Sequence, residues 1–171
     1  MNKKKVYIMA LLLFLMFLIL CMKNLFINDI RKVAISNNNI EKFNDHLFRE
    51  GKYKVSLPED WEIDEENTNY DSDINIIFNN KNNISGNISI IAGDIKDITE
   101  NIAANDAKII VVDDYDYTWN IVSINKEKFI NKYYIRKYSE GKVLIIKYFY
   151  KPGKEKNSIN VVFDTISKSF Q

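Results

Sequence analysis

A chain that does chemistry with its own side chains needs a nucleophile with a base beside it, or a set of metal ligands. This one has a single histidine, His46, and a single cysteine, Cys21. No Ser or Cys site points to His46, and a base without a nucleophile is a poor catalyst. It reads as structural or solvated. Cys21 lies in an uninterrupted apolar run, so it reads as a buried thiol in an apolar medium. Asp71-x-Asp73-x-Asn75 resembles the start of a calcium loop, which needs Gly at its sixth position and Glu at its twelfth. Ile76 and Asn82 stand there instead, and the match fails. Asp113-Asp114-Tyr115-Asp116 reads as a polar, solvated turn. There is no phosphate loop and no Cys/His cluster of metal-ligand spacing. The expectation is no catalytic residue, no metal and no cofactor.

The residue types that remain are cationic and aromatic together. Phe129–Ser139 and Lys142–Lys151 are strand-like runs flanking Glu140-Gly141, a two-residue hairpin turn in which Gly supplies a positive φ. The register this turn sets pairs Ile135 with Ile146, Tyr133 with Tyr148 and Lys137 with Leu144 on one face. On the other it pairs Tyr134 with Lys147, Lys132 with Phe149, Arg136 with Ile145 and Tyr138 with Val143. The first face is apolar. The second assembles Lys132, Tyr134, Arg136, Lys147 and Phe149 into a candidate binding patch for an anionic polymer or lipid headgroups. A one-residue slip would mix the faces. The plainer reading is surface packing, with Tyr134 and Lys147 an ordinary cation–π pair or a helix covering the face.

Composition narrows the partners. Of 171 residues, 24 are Lys or Arg and 23 Asp or Glu. Setting aside Lys3, Lys4 and Lys5 leaves the remainder slightly acidic, so nothing argues for nucleic acid. Charge is uneven along the chain: eight acids and no base lie between Val55 and Asn80, against ten bases and three acids between Lys126 and Lys156. Two solvated faces that attract each other account for this, and the layout would also orient the molecule near a charged surface. Heavy use of Ile (27) and Asn (22) points to an AT-rich bacterial genome. The sequons at Asn83 and Asn87 then carry no weight.

Val6–Met22 contains no charged residue. At about 1.5 Å per residue its 17 residues cover roughly 25 Å as a helix, the short end of what a bilayer needs. Lys23 snorkelling and the apolar Leu25, Phe26 and Ile27 would extend it. A cleaved signal peptide needs small residues at its cleavage site, and none of that kind follows. A lipoprotein wants a small residue before its Cys, and Leu20 stands there. An uncleaved single-pass anchor over residues 1–27 is the expectation, with the lysine cluster inside and the domain extracytoplasmic.

Asn28–Phe48 shows helical spacing broken at Asn37-Asn38-Asn39, and residues 28–50 read as a helical stalk. From Gly51 the pattern turns to strands: Tyr53–Leu57, Trp61–Ile63, Ile74–Phe78 and Ile84–Ala92, the last three an antiparallel meander. Asp94 or Asp97 caps a helix with Ile95, Ile98, Ile102 and Ile109 on one face. The β-branched run Ile109–Val112 leaves it, and Thr118–Ile124 is a strand. After Pro152-Gly153, Asn157 or Ser158 caps a last helix whose Ile159, Val162, Phe163, Ile166 and Phe170 recur at helical period. The fold class is α+β, an antiparallel sheet flanked by helices and preceded by a transmembrane helix.

Two stretches carry a resemblance. Tyr53-Lys-Val-Ser-Leu-Pro58-Glu-Asp-Trp61, a strand running into a Pro-x-x-Trp corner, resembles the opening of PsbP/Mog1-like domains. Val162-Phe163-Asp164-x-Ile166-x-x-Ser169-Phe170 is similar to their terminal helix. Asp60 departs from the Gly or Asn usual at the corner. Over residues 51–171 the resemblance implies an antiparallel sheet with helices on its faces, and binding or assembly with no shared catalytic set.

The function expected is therefore a membrane-anchored, extracytoplasmic, non-catalytic binding or assembly module of the bacterial envelope. Its partners would be the membrane through residues 6–22 and a protein or anionic envelope component. The competing readings are an envelope hydrolase or metal-dependent enzyme using the acidic loop, and a small subunit of a membrane complex.

Overall fold

The computed structural model describes residues 3–69, 74–81, 83–103, 107–113, 117–126, 128–151 and 158–171, without the side chains of Lys3, Cys21, Lys23, Asn24 and Leu25. Expectations for Asp71, Asp73, Asp114, Tyr115, Asp116, Pro152, Gly153, Asn157 and the Cys21 thiol fall outside these.

A first helix, α1 (Lys3–Ser36), runs through the apolar segment and beyond it. The asparagine triplet ends it. Asn38 Nδ2 donates to the Ala34 carbonyl at 2.8 Å and to Ser158 Oγ at 2.9 Å, and Asn39 turns left-handed at φ 58. An Asn in that conformation is a common helix stop. The next segment is not the expected helical stalk. Phe43–Phe48 is a strand, β1, paired antiparallel with β2 (Tyr53–Pro58) around Arg49, Glu50 and Gly51, all of positive φ. The apolar spacing of Ile40, Phe43 and Leu47 imitates a helix, yet Leu47 is 65% exposed and Phe43 only half-buried. Pairing with β2 decides this segment, as tertiary context does for short ambiguous runs.

The main sheet holds β3 (Trp61–Ile63), β4 (Asn75–Asn80), β5 (Ser85–Ala92), β6 (Lys108–Asp113), β7 (Thr118–Lys126), β8 (Phe129–Ser139) and β9 (Lys142–Tyr150). Their order is β3-β4-β5-β9-β8-β7-β6, and every pairing is antiparallel. The expected meander of β3, β4 and β5 is present.

Each face of the sheet has a core. On one, α3 (Ile159–Ser169) buries Val162, Phe163 and Ile166, with Ile159 and Phe170 beside them, as their period requires. Phe163 stacks on Tyr148 with ring centroids 4.0 Å apart. Each such aromatic removed from water contributes about 1.5–3 kcal/mol. On the other face, α2 (Ile95–Ile102) lays Ile95, Ile98 and Ile102 on Val122, Ile135, Val143 and Ile145. Asp94 is its cap, accepting from the Lys96 amide at 2.7 Å. Ile109, expected on that helical face, is instead in β6 and 46% exposed.

The hairpin of β8 and β9 corrects the expected register. Ser139 pairs with Lys142 across the Glu140-Gly141 turn, and Gly141 has the positive φ (65) that turn asks for. An irregularity between Lys137 and Ser139 then shifts the ladder by one residue. Beyond it Arg136 pairs with Leu144, Ile135 with Ile145, Tyr134 with Ile146, Tyr133 with Lys147 and Lys132 with Tyr148. A bulge puts two residues opposite one, so every residue of β9 meets the other parity of β8.

Candidate binding surface

The register shift splits the five-residue patch. Lys132, Tyr134 and Arg136 share the face of Tyr148, Ile146 and Leu144, which α3 covers. Lys147 and Phe149 share the face of Tyr133 and Asn131. Tyr134 and Arg136 are each only 3% exposed. The five residues do not form one exposed surface, because one extra residue in β8 changes which of them are neighbours.

On the α3 side, the polar flank of the helix meets the cations of β8. Lys132 Nζ donates to Asn160 Oδ1 at 2.7 Å and lies 5.1 Å from the Tyr134 ring centroid. The Tyr134 hydroxyl donates to the Asp164 carboxylate. Burial, and then the Asp164 charge, pushes the Tyr134 phenol far above its ordinary range. It is a permanent donor at neutral pH. Burial also lowers the Lys132 ammonium, with Asp164 opposing. Tyr148, buried beneath, links to Ser167 Oγ at 2.9 Å and donates to the Phe163 carbonyl at 3.1 Å. Such contacts fasten α3 to the sheet.

Arg136 makes a second cluster. Its guanidinium lies 3.9 Å from the ring centroid of Tyr117, 5.3 Å from Trp119 and 5.9 Å from Tyr138. It donates to the Phe170 carbonyl at 3.1 Å and the Lys137 carbonyl at 3.3 Å. Among the described residues its Nε and the Trp119 Nε1 are buried without hydrogen-bond partners. Burial lowers the guanidinium pKa. Stacking on aromatic faces suits a weakly hydrated planar cation. Tyr117, 45% exposed, and Tyr138 line an open groove of about 600 Å³ with Ile95, Asn120, Lys137 and Glu140. This groove is the candidate binding surface: rings and hydrogen-bonding groups over a buried cation.

On the opposite face, Lys147 sits 5.7 Å from the Tyr133 ring, and Phe149 stacks on Phe129 at 4.6 Å. Lys151 lies 5.9 Å from Phe129. These are half-exposed cation–aromatic pairs along the strand ends.

The acidic stretch does a structural task where it is described. Asp64 accepts from the Asn67 amide at 3.2 Å and from Asn67 Nδ2 at 3.0 Å, and its carbonyl accepts from Thr68 Oγ1 at 2.6 Å. Among the described residues no three His, Cys, Asp or Glu converge as metal ligands. His46 is half-buried in β1, beside Asp45, which accepts from Ser56 Oγ at 2.6 Å and pairs with Lys54 at 3.0 Å.

Sequence reasoning picked out Arg136 and Tyr134 but missed Tyr117, Asn160 and Asp164. The helical residues had a signal: Asn160 and Asp164 are four apart, on one flank of an otherwise apolar helix. Tyr117 had none.

A seven-stranded antiparallel sheet with α3 on one face, α2 on the other and a strand pair at the side can be compared with known proteins. The Ran-binding protein Mog1p of Saccharomyces cerevisiae superposes with a TM-score of 0.57, covering 76% of this chain and 95% of Mog1p at 9% identity. A point mutant of Mog1 gives 0.56 at 8% identity with the same coverage. The fold is that of Mog1. No family model and no curated protein matches the chain. At such identity the Mog1 likeness carries architecture and no residue roles.

Proposed function

We propose that the protein is a membrane-anchored binding module, its Mog1-like domain held at a bilayer by α1 and acting through a surface and not through bond chemistry. One observation carries this reading. From Val6 to Leu20 every large apolar side chain of α1 is exposed, Tyr7 at 76% and Ile19 at 68%. The chain's own domain covers none of them. A helix that is apolar all round is stable only inside protein or lipid. Among the described residues no helix is long and apolar enough to cross a membrane. The span we propose is nevertheless Val6–Met22, near the lower length limit; it rests on that all-round exposure, and the reading puts Lys3–Lys5 on the inside and the domain extracytoplasmic in a bacterial envelope.

Protein binding is the activity the fold recommends, since Mog1p is described as Ran-binding. The partner here would be a protein or an anionic envelope component meeting the Tyr117–Tyr138 groove. The alternative of a membrane-complex subunit has the same observation behind it, with α1 as the contact.

Alkaline carbonate extraction of membranes from cells making the full chain is the test. The protein should stay in the pellet, and Leu13→Arg combined with Leu15→Arg should release it. Release of the unaltered chain overturns the anchor. Swapping Val6–Met22 for an unrelated apolar helix should leave partner capture intact; loss would favour the complex-subunit reading.

A further inference from the structure

Among the described residues Arg136 is the one charged side chain that is buried, and it joins no ion pair. A buried charge is costly unless it is paired. Two of its donors are used: Nη2 meets the Phe170 carbonyl and Nη1 the Lys137 carbonyl. Its Nε and the indole Nε1 of Trp119 are both left over. The sheet puts these two residues side by side. Asn120 pairs with Ile135, so Trp119 stands across from Arg136, and its ring centroid is 5.3 Å from the guanidinium. An indole and a guanidinium only donate, so neither can satisfy the other. What the cluster lacks, among the described residues, is an acceptor that carries a negative charge.

We propose that this cluster is a carboxylate site that takes a glutamate side chain of a partner protein. The proposal rests on reading this end of the domain as a binding surface, and it names the group bound there. One carboxylate oxygen accepts from Arg136 Nε–H, a charge-assisted bond, and the other accepts from Trp119 Nε1–H. Charge selects this group. A carboxylate is planar and carries one charge, matching one guanidinium, whereas a phosphate brings close to two. A buried water would satisfy the donors but supply no charge. Lys137 and Glu140 both line the neighbouring groove and offset each other, so Arg136 sets the sign of the site.

The way in selects the arm that bears the carboxylate. Tyr117 stands just before β7, its ring centroid 3.9 Å from the guanidinium, and it is 45% exposed. Exposed side chains change rotamer within picoseconds to nanoseconds, and an outward turn of Tyr117 uncovers the cation. Tyr138 beside it is half-buried. A group that passes these rings must be narrow and apolar up to its charged end. A glutamate side chain is built that way. An aspartate is one methylene shorter, and an acidic sugar is as wide as the rings it would have to pass.

Trp119 is its own reporter. The chain has two tryptophans, Trp61 and Trp119, and the isotope-labelled full chain in detergent micelles gives two indole N–H signals by NMR, which Trp119→Phe assigns. The probes are the acetylated amides of glutamate, glutamine and aspartate, with galacturonate and inorganic phosphate, all at one pH and ionic strength. The Trp119 signal should move and saturate with the glutamate derivative. The uncharged glutamine derivative should bind at least about tenfold more weakly, having lost a charge-assisted hydrogen bond. The Trp61 signal, from β3 across the sheet, should stay in place. Arg136→Met should abolish the shift; should that variant fail to fold, the difference between glutamate and glutamine on the unaltered chain still decides. A Trp119 signal silent to the glutamate derivative overturns the proposal. So do equal responses to glutamate and glutamine, or a stronger response to aspartate, galacturonate or phosphate. Carbonate extraction tests the anchor separately, so the two readings can fail apart.

Discussion

At Gly86 a missing side chain makes room for a ring. A Cβ there would lie 2.1 Å from two carbons of the Phe78 ring, and Phe78 is wholly buried. Gly86→Ala should cost about 1–3 kcal/mol, as overpacking does. A lower urea midpoint at unchanged slope would show it, and combining it with Phe78→Ala should be far from additive. Asp45 gives a pH-dependent counterpart. The Ser56 hydroxyl first, and then Lys54, hold its carboxyl below the usual carboxylate value. A depressed folded pKa means stability present above the unfolded value, about 3.9, and lost as pH falls through the folded one. Asp45→Asn should therefore lower stability slightly at neutral pH and leave it nearly unchanged at low pH, which flattens the acid limb of the stability curve, read by urea unfolding at a series of pH values. The legible residues were those whose role follows from local pattern: the apolar positions of α3, the Asp94 cap, Gly141 in its turn. Arg136 and Tyr134 were recognisable as unusual residues, but their neighbours were not. A cation's surroundings depend on strands far away in sequence, and Tyr117 meets Arg136 only through the sheet.

Elements were more legible than their pairings. Seven of the strands and both domain helices lie where alternation and helical period put them. The hairpin turn was also right, and still the register was not. The turn fixes only the first rung, Ser139 with Lys142, and the irregularity next to it reassigns every rung after. No composition rule marks such a bulge, because Tyr138 reads equally well in a regular ladder. β1 failed differently, through spacing that suits two periods at once. The element with most at stake is α3, which closes the main core. Phe163→Ala, losing its stack on Tyr148 and its edge contact with Trp61, should cost about 3–5 kcal/mol. Chemical denaturation in micelles, followed by tyrosine and tryptophan fluorescence, measures this.

Among the described residues, the longest run of uncovered apolar surface is α1 from Val6 to Leu20, and further along it Phe26, Ile30 and Val33, with Leu47 and the edge strand β6, are exposed as well. Exposed patches of that kind mark contact sites. They call for different media: lipid for a helix bare all round, another strand for a sheet edge. The C-terminal tail bears on how the chain is made. Gln171 exchanges two main-chain hydrogen bonds with Lys54, at 3.1 and 3.0 Å, and Phe170 beside it is buried. The start of β2 is thus zipped to residue 171, and β5 waits for β9 some fifty residues later. During synthesis α1 leaves the ribosome before the domain, which cannot close until residue 171 has emerged. The surroundings of α1 are thus settled while the domain that follows it is still unstructured.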